Sequence, residues 1–180
     1  MSPGARVTND TVRTAERFCS RTGRGGMELV LAADLAVAAP RARFGLPEVK
    51  IGVYAGSGGA FRLRAQIPAK VAMEILLTGR MVEAGEAARW GLVNAVAKDP
   101  LAAALELALR VADCAPLSVA ATKRIARGLD SAPDGVLLRH GEDLEWQRSD
   151  AEGSGVLGSA DCAEGVAAFG GRRALVWSGT

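Results

Sequence analysis

The chain has 180 residues, 49% of them apolar, enough for one domain with a substantial buried core. Its 22 basic and 20 acidic side chains nearly cancel, and it has four Phe, three Trp and one Tyr; this excludes both a polyanion-binding surface and a base-stacking platform. Cys19, Cys114 and Cys162 are odd in number and lack a CxxC pair, which excludes a disulfide framework and a structural zinc site and points to a reducing compartment.

Residues 1–24 show no strand alternation and only an ambiguous helical patch around Val12 to Phe18, so they read as an irregular lead-in. They are basic but lack the apolar centre of a secretory signal, and no run in the chain reaches membrane-span length. A soluble, cytoplasmic protein with no membrane or nucleic-acid partner is expected. Gly25-Gly26 predicts a helix entrance, with Glu28 in the first turn and the helix ending near Ala33. The apolar run from Asp34 to Ala39 reads as a buried strand closed by Pro40, and Arg43-Phe44-Gly45 as a short strand. Pro47 forces a bend, which places Glu48 in a loop.

Gly56-Ser57-Gly58-Gly59 opens a helix to about Gln66, and a second covers Ala69 to Thr78 with Gly79 as its stop. A helix from Glu83 to Trp90 precedes a strand over Leu92 to Ala97. Beyond Pro100 the pattern is helical over Leu101 to Cys114, Leu117 to Arg127, Asp134 to about Asp150 and Ala160 to Phe169. Pro116, residues 128–133 and residues 153–158 serve as breaks. No repeat of solenoid length and no low-complexity segment interrupts this order.

Chemical potential concentrates between Gly25 and Gly59. Glu28 sits among Met27, Leu29, Val30 and Leu31, where a buried carboxylate must be hydrogen-bonded, shared or protonated. A first-turn glutamate facing solvent is its ordinary alternative, just as a solvated carboxylate paired with Lys50 is for Glu48. Spacing alone does not bring the two together. If they share a small site, their repulsion raises one pKa and leaves an acid and a base that titrate as a pair. The Gly25 N–H at the helix entrance suits an enolate oxygen.

Other chemistries fit less well. His140, the single histidine, lies beside a helical Leu137/Leu144 stripe, and Gly56-Ser57-Gly58 lacks the arrangement of a nucleophile elbow. The glycines match neither a phosphate loop nor a dinucleotide fingerprint. Lys70 and Lys123 could reach phosphates, but helix lysines are ordinarily solvated.

The segment GGMELVLAADLAVAAPRARFGLPEVKIGVYAGSGGAFRL resembles the signature region of the enoyl-CoA hydratase/isomerase (crotonase) family. AMEILLTGRMVEAGEAARWGLVNAV, APLSVAATKRIARG and ADCAEGVAAF are similar to that family in the same order, so the likeness runs from Gly25 to about Phe169. It implies an α/β fold: a crotonase-like ββα spiral over residues 25–98, followed by a helical trimerisation region over residues 99–180. Residues 1–24 stand outside the likeness. The family's earlier strands, its first oxyanion donor and most adenine contacts are not recognisable in them.

The resemblance assigns roles by position. Glu28 matches the glutamate that helps activate water, and Glu48 the one that exchanges the proton at the α carbon. Gly25 matches the second oxyanion-hole donor, and Gly56 a loop glycine near the catalytic water. The pair of glutamates implies reversible hydration of trans-2-enoyl-CoA. Coenzyme A would be part of the substrate, with no separate cofactor and no metal, and the chain would form a homo-oligomer, a trimer or a dimer of trimers. The alternatives are a truncated, non-catalytic remnant acting as an interaction subunit, and other enolate chemistry such as enoyl-CoA isomerisation or acyl-CoA hydrolysis.

Overall fold

The computed structural model describes residues 26–127, 129–131, 137–139 and 143–178. Gly25, His140, Cys19 and the lead-in over residues 1–24 lie outside the described residues. The first helix, α1 (Gly26–Ala32), buries Gly26, Met27, Glu28, Val30 and Leu31 and exposes Leu29. A helix apolar nearly all round passes through the interior instead of lying on it. Met27 and Leu31 join Phe44, Leu46, Leu63, Ile75 and Val82 in one core, all within 2% exposure.

The strands are shorter than expected. Of the run from Asp34 to Ala39 only β1 (Val37–Ala38) forms a ladder, parallel to β4 (Ala95–Val96). Asn94 fixes the register from both sides, since its N–H donates to the Ala36 carbonyl and its Oδ1 accepts from the Ala36 N–H at 2.8 Å. β2 (Arg43–Phe44) pairs antiparallel with β3 (Val82–Glu83), so Glu83 belongs to a strand and α4 begins after it, at Ala84–Arg89. The alternation of exposed Arg43 with buried Phe44 is what a two-residue ladder on the core face requires.

The helices follow their caps. α2 (Gly59–Gln66) and α3 (Ala69–Thr78) stand where predicted, and Gly79 ends α3 in the left-handed conformation that glycine adopts without strain. α5 (Pro100–Ala112) starts at Asp99, whose side chain accepts from the Ala102 N–H at 3.0 Å. It is followed by α6 (Pro116–Ala126). Asp34, after α1, pairs with Lys123 Nζ at 2.7 Å and Arg127 Nε at 2.6 Å, and Arg127 also donates to the Ala32 carbonyl. Lys123 thus anchors α6 to Asp34 and is not simply a solvated helix lysine, whereas Lys70 is exposed.

The expectation of a helix from Asp134 is corrected. Leu129–Ser131 (β5) and Leu137–Arg139 (β6) form an antiparallel pair, and α7 begins only at Asp143 and runs to Leu157, through the glycines read as a break. Leu129, Leu137 and Leu138 sit equally well on a ladder, and periodicity does not separate the two states over so short a run. In α8 (Ala160–Gly171), Ser159 caps the first turn by accepting from the Cys162 N–H at 3.0 Å. Cys162 is buried, Cys114 exposed, and both are free thiols. Among the described residues no helix is long and apolar enough to cross a membrane, and no cluster of His, Cys, Asp or Glu could hold a metal.

α8 packs directly on the 3₁₀ turn Pro47–Ile51, backbone against backbone. A Cβ on Gly165 would fall on the Ile51 carbonyl. That neighbour is main chain and cannot rotate away, so Gly165→Ala is expected to cost about 1–3 kcal/mol. Urea unfolding of the variant beside the parent measures it.

Candidate active site

Glu28 reaches the interior because α1 does, so the solvent-facing alternative is corrected: the residue is 7% exposed. Its Oε1 accepts from the Gly59 N–H at 3.2 Å. Gly59 is the first residue of α2, where an N–H has no partner within the helix and the helix dipole favours negative charge. The approach needs glycine, since a Cβ there would stand 2.9 Å from Ala55 Cβ and 3.0 Å from Glu28 Oε1.

Glu48 occupies the first turn of the 3₁₀ helix opened by Pro47, and not an open loop. The residue is half-buried, its Oε2 is fully enclosed without a hydrogen-bond partner in the structure, and no ion pair joins it to exposed Lys50 among the described residues. Burial pushes the Glu48 carboxyl above its ordinary value. Its own backbone N–H opposes that shift, and the Glu28 charge adds to it. The two carboxylates therefore lie close enough to feel each other, which spacing alone did not establish.

Folding raises the pKa of Glu48, so the folded state holds this proton more tightly than the unfolded chain does. The resulting stability is fully present below the ordinary carboxylate value and is lost as pH rises through the raised one. Glu48→Gln is accordingly expected to melt at a higher temperature than the parent at pH 7. The two melting curves should converge in acid, and thermal unfolding at several pH values checks this.

The Gly56 N–H closes a tight turn onto the Tyr54 carbonyl at 2.8 Å, which shapes the corner leading into α2. Two residues further, a Cβ on Gly58 would meet the Arg62 guanidinium at 2.7 Å. Arg62 is 7% exposed and stacks 5.4 Å from the centroids of both Phe61 and Trp146. The corner is thus enclosed by aromatic rings and a buried cation, and it presents Gly59 to Glu28.

The sequence did not single out Gly59 or Tyr54. The doubled glycine at a helix start was the available signal for Gly59, because it leaves exposed N–H groups and room for a close neighbour. A separate cleft of about 1000 Å³, between the end of α1 and helices α5 and α6, is lined by Leu31, Asp34, Arg110 and Lys123 among others. None of Glu28, Glu48 and Gly56 lines it.

Three comparisons bear on this geometry. A family profile described as "Enoyl-CoA hydratase/isomerase" matches residues 22–179. The carnitinyl-CoA dehydratase of Salmonella typhi is 41% identical over 159 residues, covering 86% of this chain and 59% of that protein. Among solved structures, a carnitinyl-CoA hydratase from Mycobacterium avium superposes with a TM-score of 0.80 at 47% identity, covering 87% of this chain and 59% of that one. An enoyl-CoA hydratase/isomerase from Pseudoalteromonas atlantica T6c gives 0.74 at 30% identity, with 85% and 59% covered. The chain therefore spans somewhat under two thirds of the length of these relatives.

Proposed function

We propose a function from one premise: the chain belongs to the enoyl-CoA hydratase/isomerase (crotonase) family and carries that family's mixed α/β fold. The proposed reaction is the reversible addition of water to a trans-2-enoyl-CoA thioester. The observation that carries it is the pair of enclosed carboxylates, with Glu28 buried and anchored on the Gly59 N–H and Glu48 half-buried with its Oε2 enclosed.

The two environments divide the labour. Glu28, held as an acceptor, takes a proton from water as the water oxygen bonds to the β carbon. The double-bond electrons move into the thioester, and its carbonyl oxygen becomes an enolate oxygen. Glu48 then delivers its proton to the α carbon and collapses the enolate to a 3-hydroxyacyl thioester. One H and one OH have been added, and the proton taken by Glu28 restores the pair after exchange. The proposed donor to the enolate oxygen is the Gly25 N–H, and Gly56 lies on the loop proposed to border the water. Coenzyme A enters as part of the substrate.

The similarity to carnitinyl-CoA dehydratases favours a second reading of the same site. The chain would run the elimination of water from a 3-hydroxyacyl-CoA of that kind, by the same two carboxylates in reverse order. We also propose that residues 25–98 form the catalytic part and residues 99–180 an assembly part that builds a homotrimer or a dimer of trimers. Leu101, Leu105 and Leu109, exposed in one row along α5, support that assembly.

The test is loss of the conjugated enoyl-thioester absorbance when the full chain is added to a short trans-2-enoyl-CoA, with a carnitine-derived enoyl-CoA as the paired substrate. Absence of any change with both thioesters defeats the proposal.

A further inference from the structure

One face of α7 bears on the glycine corner. Trp146, Ser149 and Gly153 recur at helical spacing on a single side of it. Trp146 meets the Phe61 ring edge-on at 5.1 Å between centroids. The Tyr54 hydroxyl donates to the Ser149 carbonyl at 2.8 Å, and its oxygen accepts from the Ser149 hydroxyl at 3.4 Å. Gly153 is buried one turn further on, and a Cβ there would overlap the Tyr54 hydroxyl. Elsewhere α7 is mostly exposed, Leu144 and Leu157 included.

On their other sides the two rings bear on the corner itself. A Cβ on Gly56 would stand 3.0 Å from the Tyr54 ring, and one on Gly58 would stand 3.3 Å from the tip of Phe61. The corner ends in the Gly59 N–H that holds Glu28. Three layers are therefore stacked: α7, then the aromatic pair, then the glycine backbone with the carboxylate beyond it. Glycines cannot hold a conformation by their own side chains, so the corner takes its shape from what is packed upon it.

We propose that Tyr54 is a positioning residue for Glu28: its hydroxyl fastens α7 to the Gly56–Gly59 corner, and the fastened corner keeps the Gly59 N–H on the Glu28 carboxylate. The inference rests on the reading of Glu28 as a proton-transfer group, but the coupling it asserts is measurable without turnover. In Tyr54→Phe the ring remains and only the two hydrogen bonds with Ser149 are lost, of which the one at 2.8 Å is strong and the one at 3.4 Å weak. Amide hydrogen exchange at Gly59 in the full chain should then quicken by about five-fold, roughly the worth of one neutral hydrogen bond. The amides of α3 should keep their parental rates. Under steady-state conditions kcat should fall by about the same factor, with KM unchanged. Leu144→Ala, on the opposite side of α7 from Trp146, should alter neither quantity.

Unchanged exchange at Gly59 in Tyr54→Phe overturns the proposal, whether or not the chain turns over. Exchange that quickens equally throughout the chain also overturns it, because that is loss of global stability. An inactive parent whose Gly59 exchange responds to Tyr54→Phe defeats the hydratase reading and leaves the coupling supported. An active parent in which Tyr54→Phe changes neither exchange nor kcat does the reverse.

Discussion

Glu28→Gln and Glu48→Gln are each expected to lower kcat for enoyl-CoA hydration by about 10²–10⁴-fold, the usual range for removing one positioned proton-transfer group. The amide keeps the size of the side chain, so KM should move little and the fold should survive both changes. Glu28→Gln retains an oxygen for the Gly59 N–H, but the remaining group is too weak a base to take a proton from water. Glu48→Gln removes the proton that a half-buried carboxyl with a raised pKa is set to deliver. The comparison separates the competing enolate chemistries. Hydration needs both groups, a double-bond shift tolerates one of the replacements, and hydrolysis releases free thiol, which a thiol reagent detects. Stopped assays of the parent and the two variants with one enoyl-CoA distinguish these outcomes.

The second large effect is expected at Gly59. The new methyl in Gly59→Ala meets Ala55 Cβ at 2.9 Å on one side, and Glu28 Oε1 at 3.0 Å and Cγ at 3.1 Å on the other. Ala55 is buried in the core, so the carboxylate is the group that moves. A buried carboxylate pushed from its donor costs about 1–3 kcal/mol of stability or more, because its charge is left uncompensated. The displacement also spoils the alignment with water, where an error near 1 Å can cost about 10²-fold in rate. Gly59→Ala should therefore lose stability in urea and lower kcat together, whereas Glu28→Gln lowers kcat alone.

Much of the helical framework was legible in the sequence because its punctuation is local. Gly79 ends α3, Pro100 opens α5, and Gly58-Gly59 opens α2, and each works through its own backbone geometry. The strands were less legible. Two-residue ladders such as β1 with β4 are held by contacts between Ala36 and Asn94, far apart in the chain, and leave almost no alternation to read. The pair β5 and β6 was missed for a different reason: it is local, and each strand is only three residues long, too short for periodicity to separate strand from helix.

At the site, Glu28 and Glu48 stood out as carboxylates in apolar surroundings. What holds Glu28 did not, because its donor Gly59 lies 31 residues away and glycine offers no side chain to recognise. The burial of Glu28 was hidden too, since a first-turn glutamate is ordinarily a surface residue, and only the passage of α1 through the core makes it otherwise. Tyr54 gave no signal: its role depends on Ser149, Gly153 and the placement of α7, more than half the chain away.

The carboxylate pair is tested most directly by running the reaction in deuterium oxide with a short trans-2-enoyl-CoA and weighing the product. A glutamate that exchanges its proton with solvent and delivers it to the α carbon predicts a 3-hydroxyacyl-CoA carrying one carbon-bound deuterium at that carbon, absent with Glu48→Gln. No hydrated product from the parent, or deuterated product formed by Glu48→Gln at the parental rate, would contradict the account.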